Sequence, residues 1–229
     1  LKLREGMLTA SDIATALGEN HYETPQKLLL RKVLKLKWAG NAATAHGTRL
    51  EPIARDLYDE RYNHKSHEIG LVQHPVHKWL GGSPDGITED GLLIEIKCPL
   101  TRKIESKVPK HYMPQIQLLL EILDLEECDF IQYRPGGTLR ERDECSGCRV
   151  GVFGNCYCEY RDVPDPKTPE IFNIVRVQRD REWFQNALPI LEAFWNKVQD
   201  AKKNGLCEVV PDPIEFKALT EAVCEIQPE

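Results

Sequence analysis

The 229-residue sequence contains no run of 18 or more apolar residues, so it carries no candidate membrane-spanning helix. Its first residues lack the short apolar segment of a secretory leader. There is no internal repeat, no low-complexity tract and no linker long enough to separate two folding units. A chain of this length with ordinary apolar content is therefore expected to form one sizeable domain over residues 1–229. Positive charge is also short: 30 Lys and Arg stand against 36 Asp and Glu, a net charge of −6. That total is not the signature of a nucleic-acid binder.

The distribution of charge says more than the total. Residues 1–50 hold eight Lys/Arg against four acids, and residues 97–112 hold five against one. Residues 206–229 hold six acids against Lys217. Such asymmetry suits a basic cleft on an acidic body, although solvated faces alone produce it too. Eight cysteines are compatible with secretion, but the acidic, charge-rich composition favours a reducing compartment, and the expected location is intracellular.

The most informative stretch is Gly82-Ser83-Pro84-Asp85-Gly86 followed by Leu92-Leu93-Ile94-Glu95-Ile96-Lys97-Cys98-Pro99. Pro-Asp-Gly is a turn signal, and the second segment is an apolar, β-branched run that predicts a buried strand. Residues two apart on a strand share a face. Glu95 and Lys97 thus point together, while Leu92, Ile94 and Ile96 face a core. Burying Glu and Lys is costly unless they are paired. A structural ion pair is one reading. The other adds Asp85 from the preceding hairpin arm: two carboxylates and the Ile96 carbonyl make an oxygen ligand set for a hard divalent cation. Lys97 then stands beside the cation, where it can stabilise developing charge or help deprotonate a water.

This Asp…Glu-x-Lys pattern resembles the PD-(D/E)XK nucleases, and the fuller string is most similar to the lambda exonuclease and YqaJ viral-recombinase branch. The resemblance spans most of residues 4–135. It implies a restriction-endonuclease-like core and a magnesium-dependent exonuclease, with Mn2+ as substitute. Such an enzyme would digest one strand of linear double-stranded DNA from a 5′ end, in viral-type recombination. It further implies a metal role for Glu51 in His46-Gly47-x-x-x-Glu51, which otherwise reads as a favourable acid near a helix start. Gln115 matches the family's Y-x-x-Q-x-Q signature at Tyr112, Gln115 and Gln117; without the resemblance it is a helix-surface amide. Arg4, Ser11 and Ser83 stand where the branch grips a terminal 5′-phosphate, although Ser11 also suits a helix cap and Arg4 a frayed terminus. A helper cation after the Lys-Cys-Pro turn is Arg102 or Lys103. A trimeric ring and a single-strand annealing partner are further implications of the branch. An endonuclease of the same superfamily and a non-catalytic DNA-end-binding protein remain the alternatives.

Along the rest of the chain, Thr9–Asp12 predicts a capped short helix ending at Gly18, and Thr24-Pro25 opens a second helix. The basic residues Lys27, Arg31, Lys32, Lys35 and Lys37 of that helix read as a solvated face. A third helix runs from about Ala43 to Tyr62, strands cover 68–74 and 78–81, and a helix covers about 109–123. His74 is assigned no metal role. A strand at 128–134 reaches a Pro135-Gly136-Gly137 hairpin turn, another strand covers 171–178, and a long aromatic-striped helix runs from about Asp180 to Lys203. Pro189 suggests a kink there. The fold class is α/β (α+β), a central mixed β-sheet flanked by helices. A Cys-rich insertion at about 143–160 departs from the family pattern: Cys145, Cys148, Cys156 and Cys158 could bind structural zinc, form disulfides or remain free thiols.

Overall fold

The structure is a computed structural model that describes residues 2–36, 40–142, 160–164, 167 and 169–205. The four cysteines of the 143–160 insertion and Lys37 lie outside these residues.

The chain opens with helix α1 (Lys2–Glu5) and the two-residue strand β1 (Leu8–Thr9). A 3-10 turn (Ala10–Asp12) leads into α2 (Ile13–Ala16), and α3 covers Pro25–Val33. Thr24 caps α3 from its side chain, with Pro25 at the first helical position, where the missing N–H costs nothing. Helix α4 (Ala42–Tyr62) starts on the Asn41 cap and ends at Asn63 in the left-handed conformation. Short strands follow: β2 (Ser66–His67), β3 (Val72–Gln73), β4 (Leu80–Gly82) and β5 (Gly86–Thr88). After β6 (Leu93–Lys97), a 3-10 turn at Lys110–Tyr112 opens α5 (Met113–Leu123). The remaining elements are β7 (Glu127–Arg134), β8 (Thr138–Arg142), β9 (Tyr160–Pro164), β10 (Ile171–Gln178) and α6 (Arg181–Asn204).

The central sheet has the order β10-β7-β6-β5-β2. Only β6 and β7 run parallel within it, so the sheet is mixed, as expected. Strand β6 is buried on both faces. Ile94 and Ile96 pack with Leu50, Ala54 and Tyr58 of α4. Leu93 joins the larger core, which α5 and α6 complete with Ile116, Leu119, Leu191 and Val198. The aromatic stripe of α6 is core, with Phe184, Phe194 and Trp195 buried, and the helix continues through Pro189.

Three expectations are corrected. The strand expected at 68–74 is reduced to β3 at Val72–Gln73, against β4, while β2 ends just before it at His67 against β5, because the chain crosses between the two sheets over 68–71. Strand β7 does not form a hairpin with β8. It pairs along its whole length with β10, while β8 pairs with β9 as a separate hairpin whose arms bracket the Cys-rich stretch. Finally, the basic residues of α3 are not one solvated face. Lys32 is buried and donates to the Met7 carbonyl at 2.9 Å, and Arg31 is turned towards Glu23 and Asp12.

A second small sheet, β1-β4-β3, carries the approach to the site. Its central strand ends in Gly81-Gly82, where a side chain would not fit. A Cβ on Gly81 would lie 2.5 Å from the Met7 sulfur, and one on Gly82 2.5 Å from a Leu119 methyl. The two glycines let β1 and α5 close on β4.

Candidate active site

Strands β5 and β6 pair only as far as Gly86 and Ile94. Beyond that point the free edge of β6 meets the Asp85 side chain, whose Oδ2 accepts the Ile96 N–H at 2.7 Å. The N–H and C=O of one strand residue face the same edge, so the Ile96 carbonyl faces this edge too, past the last β5 pair. Arg55, one helical turn after Glu51 on α4, donates to the Asp85 carbonyl at 2.9 Å and bonds Glu68 at 2.6 Å. It fixes the Asp85 turn from below. The i, i+4 relation to Glu51 was the signal for it in the sequence.

Glu95 is fully buried. Its Oε1 accepts from the Lys97 ammonium and, at 2.6 Å, from the Gln115 amide on α5. Its Oε2 is buried without a protein partner. Lys97 Nζ also lies 3.9 Å from Asp85 Oδ2. Burial raises the proton affinity of Glu95, and the Asp85 carboxylate raises it further. Glu51 is shifted the same way by partial burial and by Asp85. Burial works against the Lys97 charge, but Glu95 and Asp85 outweigh it and hold the ammonium protonated.

This is a site with more negative charge than its one ammonium neutralises. No trio of His, Cys, Asp or Glu among the described residues forms a ready-made metal cage. The carboxylates are instead held by Lys97, Gln115 and the Ile96 N–H. The residues still fit a hard divalent cation. Glu95 Oε2 is an unsatisfied buried oxygen, three carboxylates repel one another, and a strand carbonyl faces the same gap.

The three residues expected at a terminal phosphate come from two segments, Arg4 and Ser11 from the N-terminal stretch and Ser83 from the end of β4. Arg4 Nη2 donates to Ser83 Oγ at 2.7 Å. Strand β1 runs parallel to β4 with Leu8 beside Leu80 and Thr9 beside Gly81. Past the strand, the 3-10 turn that carries Ser11 packs on the end of β4, where a Cβ on Gly82 would lie 3.1 Å from the Ala10 methyl. Ser11 Oγ lies 3.1 Å from Thr9 Oγ1, whose own proton goes to Asp12 Oδ2 at 2.6 Å, so Ser11 is the donor of that pair.

Asp12 is the residue that reading the sequence for function missed. It is buried, takes the Thr9 N–H at 2.9 Å, and lies 2.6 Å from Lys32 Nζ and 3.0 Å from Arg31 Nη2. Burial alone would raise its pKa, but Lys32 and Arg31 prevail and hold it below the usual carboxylate value. Of the helper cations, Arg102 turns inward: it bonds Gln132 Oε1 at 2.9 Å and lies over the Tyr112 ring at 5.9 Å. Gln132 is the β7 partner of Lys97. Lys103 is exposed. His74 is structural, its Nδ1 accepting the N–H groups of Val76 and His77.

Among the described residues, no helix is long and apolar enough to cross a membrane. The chain is 34% identical over 151 residues to an uncharacterised protein of Acanthamoeba polyphaga mimivirus, covering 58% of this chain and 28% of that protein. It is 31% identical over 147 residues to a protein of African swine fever virus, covering 50% of this chain and 42% of the relative. The chain thus spans less than half the length of either. Among solved structures, an alkaline exonuclease from Laribacter hongkongensis matches with a TM-score of 0.63 and 25% identity, over 99% of this chain and 97% of that one. A phage-related exonuclease from Haemophilus somnus shares the fold at a TM-score of 0.55 and 12% identity, over 96% of each chain. Residues 1–126, more than half of the sequence and the part that carries Arg4, Asp85, Glu95 and Gln115, match the YqaJ-like viral recombinase domain. With the mixed sheet and the Asp85–Glu95–Lys97 geometry alongside that match, the chain belongs to the family of YqaJ-like viral recombinase domains, within the PD-(D/E)XK nuclease superfamily.

Proposed function

We propose that the protein is a metal-dependent exonuclease that hydrolyses phosphodiester bonds of linear double-stranded DNA from a 5′ end. The observation that carries this reading is the buried, half-satisfied Glu95 held between Lys97 and Gln115 next to Asp85. A pure binding module has no use for so costly an arrangement. The likeness to an alkaline exonuclease whose structure was also solved with dAMP supports a DNA substrate.

Asp85, Glu95 and the Ile96 carbonyl would hold Mg2+ or Mn2+, with Glu51 nearby. When bound, the ion would supply a more acidic water and neutralise charge gathering on the phosphorane. The chain's own groups do the rest. Lys97 places a fixed positive charge beside the scissile phosphate, where it stabilises the developing oxyanion. Gln115 holds Glu95 in one rotamer, and Arg55 fixes the turn that presents Asp85. Arg102 offers a second cation on the same side as Lys97. Arg4, Ser11 and Ser83 bind the terminal phosphate, one charged and two hydroxyl donors suiting a group with more charge than an internal phosphate. The insertion at 143–160 is read as structural.

The test is a pair of substrates, a closed circular duplex and its linear form, with Mg2+, Mn2+ or EDTA. Metal-dependent shortening of the linear duplex from its 5′ termini, with the circle intact, is expected. Glu95→Gln should lower that rate at least about a hundredfold. Nicking of the circle would identify an endonuclease. Loss from the 3′ terminus would refute the polarity, and intact DNA under every condition would leave only a binder.

A further inference from the structure

Four rings lead from the protein surface to Lys97. The loop between α2 and α3 sets the His21 and Tyr22 rings 3.8 Å apart, centroid to centroid. Both meet His111 at the entrance to α5, His21 at 5.1 Å and Tyr22 at 5.7 Å, each edge-on. His111 lies 4.1 Å from Tyr112, and Lys97 Nζ stands 5.4 Å from the centre of the Tyr112 ring. Tyr22 is 69% exposed, although its loop is anchored throughout. Asn20 donates to Thr15 Oγ1 and accepts the Tyr22 N–H, and Glu23 holds Arg31, which in turn binds Asp12 beneath Ser11.

A single exposed tyrosine needs no explanation. One braced edge-on and tilted against neighbouring rings, on a loop held by hydrogen bonds, is different, because less ordering is lost when something covers it. The line is tied on one side to the network beneath Ser11 and ends on the other at Lys97. Exposed Lys110 directly precedes His111, and Arg102 lies 5.9 Å from the Tyr112 ring centre. Burial first, and then its neighbours His21, Arg102 and Lys97, lower the pKa of His111 and so favour its neutral ring. Flat π-faces beside cations match a nucleic-acid strand, and the strand must be unpaired there, since bases inside a duplex hide their faces in the stack.

We propose that Tyr22, with His21 and His111, is a stacking ledge for an unpaired base near the 5′ end of the strand being cut. This rests on the exonuclease reading and adds to it where the strand's bases go once its phosphates are held. Every base has a π-face, so the ledge is blind to base identity. It rewards ends that are frayed or overhanging.

The experiment uses a duplex with a short single-stranded 5′ overhang. Phosphorothioate linkages keep that end intact in Mg2+, and 2-aminopurine is placed in turn at each of the first three positions. Stacking quenches its fluorescence, so saturating protein should quench it at one of them at least. Tyr22→Ala should restore the fluorescence at saturation and weaken binding about five- to hundredfold. Tyr22→Trp should keep both the quench and the affinity. Cleavage of an all-phosphate duplex is measured in parallel. If the unmodified chain cleaves DNA but the quench is absent at every position, or unchanged in Tyr22→Ala, the ledge is wrong and the nuclease reading stands. If the chain neither binds nor cleaves, both fall.

Discussion

Two carboxylates in this molecule are equally hidden and treated in opposite ways. Asp12 is 3% exposed and Glu95 0%. Asp12 has two cations, a hydroxyl and a backbone N–H around it, and its proton affinity falls. Glu95 has one ammonium and one amide on a single oxygen, nothing on the other, and two acids as neighbours, and its proton affinity rises. Burial therefore does not decide what a carboxylate is for. The count of donors around it does: a completed shell marks a structural anion, and an incomplete one leaves room for a cation from outside.

The largest effect is expected where the shell is complete. Asp12→Asn strips Lys32 of its counter-charge in a buried setting, which should cost about 3–5 kcal/mol of folding stability. Urea unfolding measures it. A loss under about 1 kcal/mol would place Asp12 among ordinary surface pairs and dissolve the contrast.

A second prediction separates the tasks of the two regions. In the proposed reading Asp12 supports the terminal-phosphate end and Glu95 the hydrolytic end, so Arg4→Ala should change which ends are cut rather than whether cutting occurs. Matched linear duplexes with 5′-phosphate or 5′-hydroxyl ends give the reading. The preference for phosphate should shrink about ten- to hundredfold, the scale of one charged hydrogen bond of about 1.5–3 kcal/mol. Equal slowing on both ends would make Arg4 a general contact.

The gentlest effect per step is in pH. With its proton affinity raised in the fold, metal-free Glu95 keeps its proton longer folded than unfolded. Stability must then decline as pH rises from the ordinary value of 4.5 through the raised folded value. Asp12 acts at the other limb: its contribution is complete above 3.8 and is lost as pH falls through its lowered folded value. Thermal midpoints in EDTA across pH should show Glu95→Gln flattening the decline above pH 4.5, by no more than about 1.4 kcal/mol per pH unit, with the limb below 3.8 unchanged. An unaltered decline above 4.5 would mean Glu95 is ionised in the metal-free fold.

What could be read in advance follows the range of the interaction. Asp85, Glu95 and Lys97 are separated by a short turn and a strand period, so their meeting was legible. So were the caps at Thr24 and the core stripe of α6. Lys32 was misread because five basic residues within eleven positions look like a wet face, and only the folded chain shows two of them, Arg31 and Lys32, reaching Asp12. The β7–β10 pairing was hidden for a similar reason. Pro135-Gly136-Gly137 marks a real turn, Gly137 having φ +76°, but the true partner lies beyond the whole β8–β9 excursion. The Tyr22–His111 contact joins residues with no periodic relation at all.

The parallel pairing of β1 with β4 carries one more consequence. It is two residues long, and the chain that it closes runs from Leu8 to Leu80. So short a ladder leaves the docking of this segment to its side chains, with Met7 and Leu8 buried and Lys32 bonded to the Met7 carbonyl. Arg4 rides on that segment, while Asp85, Glu95 and Lys97 do not. In the proposed reading, discrimination between DNA ends is then set by an occupancy, the fraction of time residues 2–9 are docked. Amide hydrogen exchange at Leu8, whose N–H bonds the Trp79 carbonyl at 2.7 Å, would report that fraction directly.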